Sequence, residues 1–422
     1  MLAEKTGYIR YRRKNPLKSY PGPAILWRHL YNLLSYDRLA EPRFSMSQSL
    51  QPQPNKYTCT QLKSLNPSRC LTILLTFAAT AVPVRAQTRV TVAQLQQFLT
   101  SKQAAKQSDA DLADRLGSVA LSEQLTPATL SRLLARTDIG PKTDEQLQLL
   151  AFASIFNPPP RAELPDTSAP DSAARQKMIS AAVNYVNTTL KLLPDFLATR
   201  TTSSFENTIE QTGLRHTRPK ATLHIVRESH REIAYRNGRE VADAASTDSG
   251  LTTWGEFGPI LKTVLGDSFM GNVDWARWQK SESGAPLAVF RFTVPQSTSH
   301  YLIDFCCYQK SKDDPVQYPF REKPGYHGEL YVDPTTGAID RITLQADLTD
   351  ADPVTASGIA VQYGLVDIGG KNYVCPIQGI AVSEVHNLVM ESVDGVGLER
   401  HINVVHFLNY HKFGSTSRIL AK

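Results

Sequence analysis

From about Thr199 to Tyr410 the chain runs in short apolar-rich stretches separated by turn signals, and this alternation restricts its fold more than any other feature. A period of two sends successive side chains to opposite faces, as strands do. Thr222–Val226 and Glu232–Tyr235 read as strands, and Asn237-Gly238 marks a tight turn. Further runs follow at Val273–Gln279, Leu287–Val294, Tyr301–Tyr308, Gly328–Val332, Ala338–Leu348, Ile359–Tyr363, Tyr373–Cys375, Gly379–His386 and Ile402–Tyr410. One short helix is predicted among them, at Pro259–Leu265. Parallel strands need long, usually helical crossovers, so about ten strands with so little helix predict antiparallel pairing.

The segment before Thr199 has the other period. Val92, Leu95, Phe98 and Leu99 recur at helical spacing. Ser108 offers an N-cap before Leu112 and Leu116, and Thr126-Pro127 offers a second start with proline at the first helical position. Ile139-Gly-Pro141 reads as a stop, with Thr143 capping the next helix through Leu147, Leu150 and Phe152. Asn157-Pro-Pro-Pro160 ends that helix. A linker rich in Pro, Ser, Ala and Asp follows, and then a longer helix from about Asp171 to Leu193. The expected class is α+β. A helical region (87–160), a Pro-rich linker with its long helix (161–200) and an antiparallel β domain (201–422) follow one another.

The 422 residues carry a formal net charge of +6, which suggests nucleic acid until its distribution is considered. Residues 1–86 hold 13 Lys and Arg against 3 Asp and Glu, leaving 33 basic and 37 acidic residues in the remainder. A mildly acidic body has no general attraction for phosphate backbones, so no nucleic-acid partner is expected. With 41% hydrophobic residues the chain can bury a core, which excludes a wholly disordered or collagen-like polymer.

Leu71–Val82 is an apolar run too short to span a bilayer, which takes roughly 20 residues. Lys63 and Arg69 precede it and Val84-Arg-Ala86 follows, the three parts of a secretory signal. Residues 46–86 are therefore expected to be a signal peptide cut after Ala86. That implies a periplasmic or extracellular product with no stable membrane span. Residues 1–45 read as a disordered, over-extended start of translation; a cytoplasmic tail on an uncleaved anchor is the alternative.

Cys59 and Cys70 would leave with that signal, and Cys306, Cys307 and Cys375 remain. Three cysteines allow one internal disulfide at most. Consecutive strand residues face opposite ways, so only one of Cys306 and Cys307 could meet Cys375; three free thiols are the other reading. No CxxC or His–Cys spacing suggests zinc, and neither metal nor cofactor is expected. His401 and His406 fall on different strand faces, which leaves His386 with His406 as the one pair to consider. Glu228, His230, Arg231 and Glu232 read as a solvated hairpin end. The segment after residue 86 holds no G-x-S-x-G, HExxH, P-loop or GxGxxG motif, so no catalytic residue is assigned. Trp254, Trp275, Trp278, Phe257, Phe290, Phe292 and Phe305 form the aromatic mass. Trp275 and Trp278 stand three apart, which on a regular strand puts one in the core and one at a rim. Core packing and the lining of a ligand cavity are both open to this group.

Tyr326-His-Gly-Glu-Leu-Tyr-Val-Asp-Pro-Thr-Thr-Gly-Ala-Ile-Asp-Arg-Ile342 spells a strand, a tight turn and a returning strand. Aspartate and threonine in the turn bond back to the backbone, and Gly337 supplies a positive φ. With Val361-Gln-Tyr-Gly364 and Ile368-Gly-Gly-Lys-Asn-Tyr-Val374, this region resembles the bacterial lipoprotein-carrier superfamily over residues 200–410. The resemblance implies an antiparallel sheet curled into a half-barrel, one or two covering helices and a concave apolar face that takes an acyl chain or another hydrophobic ligand. It also implies a cavity arginine, for which Arg291 and Arg341 are the candidates by strand position. Trp254, Trp275, Phe290 and Phe292 complete the candidate cavity. The expected function is therefore a non-enzymatic envelope protein that binds a hydrophobic ligand or a cell-envelope partner. A protein-interaction module without a cavity, and a hydrolase whose site is assembled from distant residues, are the alternatives.

Overall fold

The computed structural model describes residues 88–101, 104–136, 138–207, 223–241, 259–268, 271–311, 316–387 and 397–413. The signal-like segment, residues 1–45 and Trp254 lie outside them. Among the described residues no helix is long and apolar enough to cross a membrane.

The helices are α1 (Val92–Leu99), α2 (Asp109–Gly117), α3 (Pro127–Leu134), α4 (Pro141–Ala153), α5 (Ser172–Leu192) and α6 (Pro259–Ser268). Thr91, Ser108, Thr126 and Asp171 each accept a backbone N–H of the first turn and so start α1, α2, α3 and α5. The start of α4 departs from the sequence reading. Pro141 is its first residue, and Thr143 lies inside the helix with its side chain turned to Asp109. The Asp109 carboxylate, arriving from α2, accepts the N–H groups of Lys142 and Thr143 at 3.0 Å each. That contact caps α4 from a distance and clamps the two helices together. Leu95, Leu116, Leu125 and Leu147 form the core of this region. Strand β1 (Thr88–Val90) pairs in parallel with β2 (Val119–Leu121) at its margin.

The remaining strands are β3 (Phe196–Glu206), β4 (His224–Arg236), β5 (Arg239–Val241), β6 (Asn272–Lys280), β7 (Pro286–Val294), β8 (Ile303–Gln309), β9 (Gln317–Glu322), β10 (Tyr326–Val332), β11 (Ile339–Ala346), β12 (Val354–Asp367), β13 (Asn372–His386) and β14 (Leu398–Lys412). Ten of them form one open sheet in the order β5-β4-β3-β14-β13-β12-β11-β10-β7-β6, with every pairing antiparallel. β8 and β9 form a separate hairpin. Several strands are longer than their hydrophobic runs. Tyr373–Cys375 and Gly379–His386 are one strand, because the register shift near Tyr363 absorbs the irregularity at Pro376. Glu228, His230, Arg231 and Glu232 lie within β4 and not at a hairpin end; His230 Nδ1 sits 3.0 Å from Thr201 Oγ1 of β3. The turn comes later, at Asn237-Gly238.

Asp333 Oδ1 accepts the N–H groups of Thr335 and Thr336, and Gly337 adopts φ 77°, closing the β10–β11 turn. A Cβ on Gly337 would also lie 2.5 Å from the Ala181 backbone, so the turn is held against α5.

Register assigns each residue to a face. Trp275, Phe290, Leu330, Ile342 and Val361 form one cross-strand row. Their face is covered by α5, by α6 and, at one end, by the β8–β9 hairpin through Phe305 and Phe320. α6 is pinned there by Asp267, which accepts hydrogen bonds from Tyr326 Oη (2.8 Å) and the His300 N–H (2.8 Å). On the opposite face α4 and the residues after it pack Leu149, Phe152 and Ile155 against Phe205, Ile380, Ile402 and Val404.

Candidate functional site

The sequence candidates separate between the two faces. Phe290 and Phe292 are fully buried on the α5 face, where Trp275 meets Phe290 edge to face at 5.5 Å and Phe292 meets Tyr326 at 6.0 Å. Trp275 and Trp278 share that face, contrary to their spacing. A bulge at Ala276 shifts the register between Trp275 and Arg277, and the two indoles meet edge to face at 4.9 Å. Trp278 Nε1 donates to Ser168 O, tying the segment before α5 to the edge strand. The slot between α5 and the sheet, lined by Tyr185, Val186, Leu261, Ile339, Tyr363 and Val374, has a volume of about 20 Å³. That is room for a water molecule and not for an acyl chain.

Arg291 and Arg341 lie on the other face, so they do not share a cavity with these aromatic rings. Arg277 and Glu329 form a two-pronged ion pair there, with N···O distances of 2.6 and 2.7 Å. Tyr331 Oη donates to the same carboxylate at 2.9 Å, and Gln279 accepts from Arg277. Arg291 reaches Glu329 only at 3.7 Å and stays exposed. The Arg341 guanidinium stacks 4.5 Å above the Tyr331 ring, buried, and its Nε has no hydrogen-bond partner. Burial pushes Glu329 upward, but the hydrogen bonds and charge of Arg277 outweigh it and hold the carboxyl below the usual range. Burial raises the Tyr331 hydroxyl to about 12, which keeps it a donor.

Gln362, the register partner of Arg341, leads from this cluster into a groove of about 590 Å³. Val366, Ile377 and Leu408 give it apolar surface, and Gln362, Gln378, His406 and Glu282 give it polar groups. Ile377 and Leu408 are exposed although apolar. Burial lowers the pKa of His406, so the imidazole is neutral near pH 7 and can both donate and accept a hydrogen bond. The groove therefore offers hydrogen-bonding groups beside apolar surface. Its residues come from separate strands, and no sequence motif unites them.

The remaining sequence candidates do not assemble. His386 pairs in register with Leu398, eight positions along β13 from Gln378, the partner of His406. At about 3.4 Å per residue the two histidines are about 27 Å apart along the sheet, too far for a shared ion. Cys375 is a free, buried thiol packed with Phe196 and Val405, so neither Cys306 nor Cys307 bridges to it. Cys307 is disulfide-bonded and lies on the β8–β9 hairpin, which packs on Val385. Val385 is ten residues beyond Cys375 on β13, about 34 Å of strand. A disulfide needs its Cα atoms within about 7 Å.

No family model matches this chain, and no curated protein or solved structure matches it.

Proposed function

We propose that the protein is an exported, non-enzymatic binding module that holds an amphipathic, largely apolar ligand in the groove across β12, β13 and β14. One observation carries this reading. Glu282, from the β6–β7 hairpin at the edge of the sheet, lines the same groove as His406 and Leu408 of β14. Six strand spacings separate β6 from β14 in the sheet order, about 29 Å if the sheet were flat. A shared groove favours a curled, half-barrel sheet. Its volume falls in the range of small-molecule sites, about 300–1,000 Å³. Among the described residues the side chains along it include no serine, threonine or cysteine; His406 has Gln378 of β13 and Thr201 of β3 as its register neighbours, and the Thr201 hydroxyl is already engaged with His230 Nδ1 at 3.0 Å. Export rests on the short apolar run and the Val84-Arg-Ala86 end of the signal-like segment.

Native mass spectrometry of protein purified without detergent tests the reading. A bound small molecule that survives desalting and is lost from Leu408→Glu and Ile377→Glu supports it. Both positions are exposed, so these variants are expected to fold normally. A ligand-free mass, with no binding of a fluorescent fatty-acid analogue, would instead leave a protein-interaction module.

A further inference from the structure

The α5 face becomes polar where β3, β14 and β13 lie side by side. Register sets Glu206, His401 and Ser383 in one cross-strand row, and Glu399 lies on the same face two residues before His401. His401 is 7% exposed. Its Nδ1 lies 3.2 Å from Glu206 Oε1 and its Nε2 lies 3.3 Å from Glu399 Oε1. One donor atom from each of the three residues lies within 4.8 Å of the others. Asn387 Nδ2 donates to the second oxygen of Glu399, and the Phe305 ring closes over His401 edge to face at 5.8 Å. Beside the imidazole, Ser383 is 2% exposed and its Oγ has no hydrogen-bond partner.

Packing does not explain this cluster. An interior strand of a sheet favours apolar side chains, and two carboxylates with an imidazole are costly to bury. An unpartnered buried hydroxyl adds to that cost. We infer that Glu206, His401 and Glu399 hold one divalent transition-metal ion, with the Ser383 hydroxyl next to it. Ligands about 2.0–2.1 Å from a tetrahedral zinc ion stand about 3.3 Å apart. The two carboxylates flank different ring nitrogens, so one of these distances already matches that separation and the third donor atom, within 4.8 Å, swings in when the ion binds. An imidazole nitrogen with carboxylate oxygens suits zinc, iron or manganese, whereas calcium sites use oxygen alone. The ion takes one ring nitrogen of His401 and one oxygen from each glutamate. Glu206, the more exposed of the two glutamates, marks the side from which the ion and its water enter. The ion ties β3 to β14.

The test uses the full chain, stripped with EDTA and titrated with zinc near neutral pH by calorimetry. One zinc ion per chain is expected, with a Kd of about 1 μM or tighter. Glu206→Gln and Glu399→Gln keep the shape of each side chain and are each expected to weaken binding at least about tenfold. Cobalt should give visible absorption bands in the parent protein that His401→Gln removes. Circular dichroism checks the fold of each variant, and if His401→Gln does not fold the two glutamine variants carry the test. Absence of zinc binding by the parent protein overturns the inference and leaves an imidazole held between two carboxylates. Undiminished binding by the Glu206→Gln/Glu399→Gln double variant overturns it as well, by moving the zinc to other histidines.

Discussion

Replacing Glu329 with alanine is expected to remove about 3–5 kcal/mol of unfolding free energy, the usual cost of stranding one partner of a buried ion pair. The guanidinium of Arg277 keeps only 14% of its side-chain exposure, and its bonds to Gln279 and Tyr331 do not neutralise it. Tyr331 loses its acceptor in the same variant. The double replacement Arg277→Met/Glu329→Leu should recover most of the loss, since it removes both charges and retains volume. Urea unfolding followed by tryptophan fluorescence measures each step. A loss under about 1 kcal/mol for the single variant would mean that water reaches the vacated place and solvates Arg277. The pair also sets an acid limit. The folded carboxyl titrates below its unfolded value of 4.5, so the unfolded chain binds more protons between the two. Its contribution is complete above pH 4.5 and fades as pH falls through the folded value. Glu329→Gln should flatten the slope of stability against pH in that window.

Gly328→Ala is expected to destabilise by about 3 kcal/mol or more, at the upper end of overpacking effects. A Cβ there would stand 1.9 Å from the backbone oxygen of Thr343 and 2.7 Å from the Phe292 ring. Thr343 O belongs to the neighbouring strand β11, so relief requires the β10–β11 ladder to part and not a side chain to turn. Gly364→Ala is the contrast. Its Cβ would meet only the ends of the Ile377 side chain, at 3.0 Å and beyond, which can rotate into the groove. Thermal unfolding should rank Gly328→Ala well below Gly364→Ala; equal melting temperatures would show that the β10–β11 pairing is looser than its register implies.

Three of the N-caps were legible because a cap is a local event: Ser108, Thr126 and Asp171 bond backbone groups three residues ahead. The cap of α4 was not, because its acceptor, Asp109, comes from another helix. The same limit governs the β domain. The antiparallel class and most strand positions follow from apolar alternation, but the single-residue bulge at Ala276 turns two tryptophans onto one face against their spacing. In the candidate groove, Glu282 and His406 are joined only by the course of the sheet. Glu206 and His401 likewise meet only through β3–β14 register.

Amino-acid order alone determined the division into a helical first part and an antiparallel second part, and the Asp333–Gly337 turn. Each of these depends on neighbouring residues, through backbone period, capping or turn geometry. Tertiary structure decided which face each strand residue occupies, that Arg291 and Arg341 lie apart from Phe290 and Phe292, and that Cys375 remains a thiol. A one-residue bulge reverses the facing of all that follows it, and bulges settle where packing on both sheet faces is satisfied together.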